Sequence, residues 1–489
     1  MPSAEMMNEP RNILFLYSAK SVHTSTVYEH LESFKRFSIH NIVFDDAVTP
    51  AVCAYELSDF DAVFLHYSVR LSLTNYFSES FAEKLAAFSG VKVLFIQDEY
   101  DDTEQARKWM ERLQFTVIYT CVPEKFRENV YSSSRFPNTE FVTNLTGYVP
   151  ERLLALQTKP IVERQTLVGY RGRALHPVYG ALGFEKKQIG IEFREHALRR
   201  QLAVDIQWDD AHRIYGPDWY QFLANCRATL GSESGSNIFD FDGSLRKKID
   251  RFMIDEPLAT FDLIKSTIFP YEENAIAEMA QISPKIFEAI ALKTALVLFE
   301  GSYSNVIQPD RHYISLKKDF SNITEVFEKL SSADGLQDMV DRAYEEIVRS
   351  TTYHYSTFVK SVDRIIDPHF QRRQMRSTLI AISYLKIPIQ GEVQIVGFPC
   401  SQLPKNNVLS FEQLTAICQI EDDYIDANFF RLMSSVLARA FKRKIKMAGR
   451  LLYGIYGYVP LSAKQFLRPL GIVMRRLFFV DEDKYKSFK

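Results

Sequence analysis

The 489-residue sequence lacks most of the features that announce a membrane, secreted or metal-cluster protein. No uninterrupted apolar run approaches the roughly 20 residues that a bilayer-spanning helix needs. The opening MPSAEMMNEPRN has no basic start and no apolar run before Asn12, which argues against a signal peptide. The Asn-X-Thr triplets at Asn144 and Asn322 then carry no meaning as glycosylation sites. Five cysteines, Cys53, Cys121, Cys226, Cys400 and Cys418, are scattered, and no pair has metal-ligand spacing. Reduced thiols in a cytoplasmic protein are the expectation. No GxGxxG follows a strand-like segment, which argues against a Rossmann dehydrogenase. No GxSxG marks a serine hydrolase. Charge of one sign is also missing: 59 basic and 61 acidic residues leave a formal net charge of −2. That balance makes no case for a nucleic-acid partner.

What is present is alternation. The length exceeds what one core supports, so two or three domains are expected. In the first part, NILFLYSA, IHNIVFDD, DAVFLHYS, VKVLFIQDEY and FTVIYTC read as strands with amphipathic helices between most of them. This pattern predicts a parallel, doubly wound sheet. A less regular stretch, PNTEFVTNLTGYVPERLL, follows. The pattern restarts with RQTLVGYRGR, the helix EKKQIGIEFREHALRRQL and the strand LAVDIQW. WYQFLANCRATLGSESGSN reads as helix, strand and small-residue loop, QISPKIFEAIALKTALVLFEG as helix, turn and strand, and a long helix is expected near DMVDRAYEEIVRS. The fold class predicted is α/β, with two facing Rossmann-like doubly wound domains and a C-terminal, mostly helical basic extension. The expected domains are 1–158, 159–373 with a helical insertion at about 244–273, and 374–489.

Ligands of open parallel sheets sit beyond the carboxyl ends of the strands, so the candidates are residues just after strands. Arg171, Gly172 and Arg173 follow the first strand of the second domain. A glycine admits close backbone approach, and guanidinium groups bind phosphate oxygens in pairs. Lys186 and Lys187 add charge in the next helix. The loop Gly231-Ser232-Glu233-Ser234-Gly235-Ser236-Asn237 exposes backbone N–H groups that can hold an anion, and Glu233 could bind sugar or ribose hydroxyls. Ser283-Pro284 reads as a helix start. Glu288 sits further along that helix among Ile286, Phe287, Ala289 and Ile290, where a carboxylate can accept two hydrogen bonds from a ribose diol. In the first domain, strands end in His66-Tyr67-Ser68 and Gln97-Asp98-Glu99-Tyr100. Each cluster also has a plain reading as a basic turn, a flexible loop, a partly exposed helix acid or a structural histidine.

Taken together, these motifs resemble GT-B glycosyltransferases, particularly the retaining family 4, over roughly residues 12 to 366. SPKIFEAIALKTALVLFEG looks like that family's helix glutamate, turn and buried strand, YRGR like its Gly-Arg turn, and GSESGSN like the loop before its donor site. The resemblance implies that Glu288 binds a nucleotide ribose and that Arg173 with Lys186 holds a diphosphate. The family's second glutamate, eight residues earlier, is Ala280 here, with Gln281 beside it. Gln281 or Ser283 is expected to take over the sugar-facing contact. His66 matches a family histidine by position, and Gln97-Asp98 stands in place of His-Asp.

The reaction so implied moves a sugar from a nucleotide diphosphate to a glycan or lipid-linked acceptor, without a metal or other cofactor and with retention. Arg171, Arg173 and Lys186 would neutralise the leaving diphosphate, and Asp98 would position or deprotonate the acceptor hydroxyl. Asp240-Phe241-Asp242 has the letters of a metal-binding DxD but follows the Ser-rich loop. The rivals are a nucleotide-sugar epimerase on the same fold and a non-catalytic glycan-assembly partner. Finally, residues 431–480 carry eleven Lys or Arg and no acid. A basic amphipathic stretch of this kind could meet anionic lipid headgroups at the inner face of a membrane.

Overall fold

The computed structural model describes residues 10–370 and the short segments 387–389 and 392–394. Both large sheets lie in one compact unit. The expected basic surface at 431–480 and most of the extension lie outside the described residues.

The first sheet contains β1 (Asn12–Tyr17), β2 (Asn41–Asp46), β3 (Ala62–Leu65), β4 (Val91–Phe95), β5 (Val117–Thr120) and β6 (Glu140–Thr143), in the order β2-β1-β3-β4-β5-β6. All its pairings are parallel. Helices α1 (Ser25–Phe37), α2 (Glu79–Ala87), α3 (Thr103–Leu113) and α4 (Arg127–Val130) connect the strands. Every residue of β1 is buried because a parallel sheet is covered on both faces. Its side chains alternate between two cores. Ile13, Phe15 and Tyr17 enter an aromatic cluster, whereas Leu14 and Leu16 face the opposite layer. Phe15 meets Phe34 edge-on at 5.0 Å and Phe64 at 5.4 Å. β6 runs through the stretch whose sequence reads as irregular. It is a short, half-exposed edge strand, so it has no buried alternation to advertise it.

The second sheet contains β7 (Thr166–Arg171), β8 (Val204–Gln207), β9 (Cys226–Gly231), β10 (Ala295–Phe299) and β11 (Ile314–Leu316), in the order β11-β10-β9-β7-β8. These pairings are parallel as well. α5 (Gly180–Arg199) and α6 (Pro217–Asn225) flank β8. α7 (Ser244–Asp255) and α8 (Phe261–Ile268) fill the space between β9 and α9 (Pro284–Ala291). The expected long helix is α11 (Ala333–Ala343), preceded by α10 (Ile323–Ser331) and continued by a π-helical turn, Tyr344–Arg349.

One boundary differs from the expectation. The expected second domain, 159–373, includes α12 (Tyr355–Ile366), but that helix packs on the first sheet. Tyr355, Phe358, Val359, Val362 and Ile366 form one helical face within the Phe15 cluster. Asp363 of this helix accepts hydrogen bonds from the Ser38 hydroxyl and the Ile39 N–H, both at 2.9 Å. An apolar face at helical spacing says that a helix is buried, not which sheet buries it. Beyond α12, β12 (Ile387–Ile389) and β13 (Glu392–Gln394) form a short antiparallel pair.

Candidate functional site

Each sheet reverses its strand order next to its first strand, between β1 and β3 and between β7 and β9. Chains leaving the two sides of such a point diverge and leave a crevice. A cavity of about 640 Å³ lies there, lined from the first domain by Gln97, Asp98 and Tyr100 and from the second by Arg173, Lys186 and Ser234. The volume suits a nucleotide-sized ligand.

The loop after β7 forms one wall. Gly172 is required by packing: a Cβ there would stand 2.7 Å from the Tyr170 ring and 2.9 Å from the Lys186 carbonyl oxygen. Arg173 is exposed on the cavity wall. Arg171 also borders the cavity, but its guanidinium is committed elsewhere. It donates to the Asp205 carboxylate at 2.8 Å and the Asp205 carbonyl at 3.0 Å, and it stacks on Phe222 at 4.2 Å. The expectation of Arg171 as a free phosphate ligand is corrected accordingly. Lys186, in the second turn of α5, donates to the Ser234 hydroxyl at 2.9 Å and the Glu233 carbonyl at 3.2 Å. Burial lowers its pKa to about 8, helped by Lys285 and Arg173 and opposed by Glu185 and Asp98.

The loop after β9 is shaped by Gly235, whose φ of +117° brings its backbone against the Met279 carbonyl. Gly231, Ser232 and Ser234 line the cavity. Glu233 does not. Its carboxylate turns away and accepts from the Ser302 N–H at 2.9 Å, the Ser302 hydroxyl at 3.0 Å and the Tyr303 N–H at 2.7 Å. Glu233 therefore clamps the loop after β10 through Oε1 instead of lining the cavity.

α9 starts at Pro284 with Ser283 at its N-cap, and the Ser283 side chain makes no capping bond. Ser283 lines the cavity. Glu288 is buried, and its carboxylate accepts from the Trp219 indole N–H at 2.7 Å. Desolvation raises the Glu288 pKa, with Trp219 and Lys285 opposing. Trp219, from α6, lines the cavity where Glu288 was expected. Glu288 itself is not among the residues that line the cavity. Gln281 faces the cavity as well and spans the domains. Its amide donates to the Cys121 carbonyl at 2.9 Å and accepts from the Ser304 hydroxyl at 3.1 Å. Lys285, which is not among the candidates above, lines the same wall.

On the first domain, Asp98 sits just past β4 with a left-handed φ of +54°. Asp tolerates that conformation better than most residues. Asp98 lines the cavity and accepts from the Tyr100 hydroxyl at 2.8 Å. Neighbouring Glu99 points into the core, where Thr120, the Cys121 N–H at 3.0 Å and the Tyr131 hydroxyl at 3.1 Å hold it. Burial raises its pKa to about 8. Asp101 receives Arg70 at 3.3 Å, Arg246 at 3.1 Å and the Tyr179 hydroxyl at 3.0 Å, which ties the first domain to α7 and to the loop before α5.

His66 corrects another expectation. It is fully buried and does not reach the cavity. Its Nδ1 accepts from the Ser68 N–H at 3.0 Å, so the neutral ring carries its proton on Nε2, which lies 3.1 Å from His30 Nδ1. Burial pushes its pKa well down. The DxD letters are a helix cap: Asp240 accepts from the Leu245 and Arg246 N–H groups at 3.2 and 2.9 Å, and Asp242 accepts from Ser244 N–H at 2.9 Å.

The fold and site define an α/β protein with two parallel sheets opening onto one cationic cleft. No protein-family model matches the chain, and no curated protein matches it. Solved structures with a similar fold include an alpha-glucosyltransferase in complex with UDP, 10% identical, with a TM-score of 0.44 over 73% of this chain and 99% of that one. The Anabaena protein Alr3699/HepE, in complex with UDP and glucose, is 11% identical, with a TM-score of 0.42 over 73% and 100%. The BGT of T4 phage, in complex with UDP-glucose, is 9% identical, with a TM-score of 0.39 over 74% and 99%. Among the described residues, no helix is long and apolar enough to cross a membrane.

Proposed function

We propose that the protein is a glycosyltransferase that takes a nucleotide-diphosphate sugar into the cleft and passes the sugar to an acceptor hydroxyl presented by the first domain. The observation that carries this reading is the placement of Arg173 and Lys186 around the β7/β9 switch point, with Asp98 on the opposite wall of one cavity. Cations at that point stabilise the charge that gathers on a departing diphosphate, and they need no proton transfer to do so. The anomeric carbon then gains oxocarbenium character, as in glycoside hydrolysis. Asp98 is suited to orient the acceptor and take its proton. Domain closure would exclude water from the reacting centre. In this reading the transfer is metal-independent and retaining, and the acceptor is a glycan or a lipid-linked sugar. The basic segment 431–480 would hold the enzyme against anionic lipid.

A thermal-shift screen with UDP, GDP, TDP and ADP tests the donor site, and one of the four is expected to stabilise the full chain. Turnover of the matching sugar nucleotide is then followed with oligosaccharides, lipid-linked sugars and DNA as acceptors, with and without EDTA. Acceptor-dependent turnover that survives EDTA is expected. Donor consumption that ignores every acceptor would overturn the transferase reading.

A further inference from the structure

Beside Arg173 and Lys186, the cleft is lined by a third cation that forms no ion pair among the described residues, Lys285. Lys285 stands in the first turn of α9, where the positive end of the helix dipole makes a lysine the unfavourable choice. Its surroundings add to that cost. Arg173 and Arg213 oppose its charge, and so does Lys186. Glu288 favours it, but that carboxylate is held by Trp219. Among the described residues, the only hydrogen bond of the Lys285 ammonium goes to the Arg171 carbonyl, at 3.3 Å. The ammonium also stands 4.8 Å from the centre of the Trp219 ring. The side chain is exposed, lines the cavity and keeps donors to spare. Arg171, whose position suggested a phosphate contact, is meanwhile locked to Asp205.

We infer that Lys285 binds the diphosphate together with Arg173 and Lys186, in the role the sequence pattern suggested for Arg171. The inference rests on the donor-site reading above. Three cations that repel one another in the free protein lose that repulsion when an anion enters between them. A diphosphate carries more charge and more oxygens than a monophosphate, and so relieves more of the repulsion among the three cations. The site should therefore prefer nucleoside diphosphates over monophosphates, and Lys285 should carry part of that preference.

The experiment is calorimetric titration of the full chain, and of its Lys285→Met and Lys285→Arg variants, with UDP, GDP, TDP and ADP and with the corresponding monophosphates. Loss of one charge-assisted contact predicts diphosphate binding weakened about 10- to 100-fold in Lys285→Met. The monophosphate should be affected less, and Lys285→Arg should recover most of the loss. Lys285→Met binding the preferred diphosphate as tightly as the parent would overturn the inference and leave the donor site standing. A parent chain that binds none of the four diphosphates would overturn both.

Discussion

Glu99 on the first domain and Lys186 on the second are a matched pair with opposite outcomes. Glu99 is buried in the core and Lys186 is half-buried at the cavity, and each has its pKa pushed to about 8 by loss of hydration. For the acid this is a rise, so Glu99 is mostly neutral at pH 7. For the base it is a fall, so Lys186 is mostly charged. The same physical cause removes charge from a core carboxyl and leaves it on a lysine that lines the cavity. The remaining groups follow the same division. The first domain's polar side chains are already paired: Asp98 with Tyr100, and Asp101 with Arg70 and with Arg246 of the second domain. The second presents Arg173 and Lys285 to the cavity with positive charge to spare. A pre-satisfied wall suits a neutral hydroxyl, and a wall with surplus cations suits an anion.

The comparison breaks most sharply at Arg173. Arg173→Ala should lower sugar-nucleotide turnover by roughly 100- to 1,000-fold, the scale of one lost charge-stabilising donor, while Tm stays near the parent value because the side chain is exposed. Equal turnover would remove the cationic wall from the chemistry.

Glu99 offers the next test. Its folded pKa lies above its unfolded one, so the folded state holds an extra proton between about pH 4.5 and about 8. Stability should fall through that window by up to about 1.4 kcal/mol per pH unit and level off above it. Glu99→Gln should flatten the profile in urea titrations from pH 5 to 9. A variant that keeps the parent's slope would show that Glu99 is not the group responsible.

Lys186 sharpens the contrast from the other side. An anion binds the protonated form, so affinity for the preferred nucleoside diphosphate should be complete below pH 8. Above that it should weaken by up to about tenfold per unit as the free lysine loses its proton. Lys285 lines the same cavity and contributes in the same direction. Lys186→Arg should retain more of the affinity at pH 9.

Asp101→Asn is the mildest change. It weakens a partly exposed cluster that joins the first domain to α7, so a loss on the order of 1 kcal/mol or less is expected. Turnover should change more through KM than through kcat if the cluster only sets the spacing of the two walls.

The fold was largely legible because strand and helix periods are local properties of the chain. NILFLY, ALVLF and the Ser283-Pro284 helix start can each be read within a few residues, and the strand ends point to one cleft once two parallel sheets are inferred. β6 is not legible because an exposed edge strand carries no apolar period, and the packing of α12 on the first sheet is not legible because amphipathicity names no partner. Lys285 had one visible signal, a lysine in a helix's first turn, against the dipole.

By itself, the sequence determined the alternation of elements, the two-sheet architecture and the loops that border the cleft. Tertiary structure alone decided which way each charged side chain turned. Arg171 finds Asp205 34 residues away, His66 finds His30 36 away, and Glu288 and Glu233 find Trp219 and Ser302 each 69 away. A buried or half-buried charge goes where hydrogen-bond partners repay its lost hydration, and those partners become neighbours only when distant segments pack together.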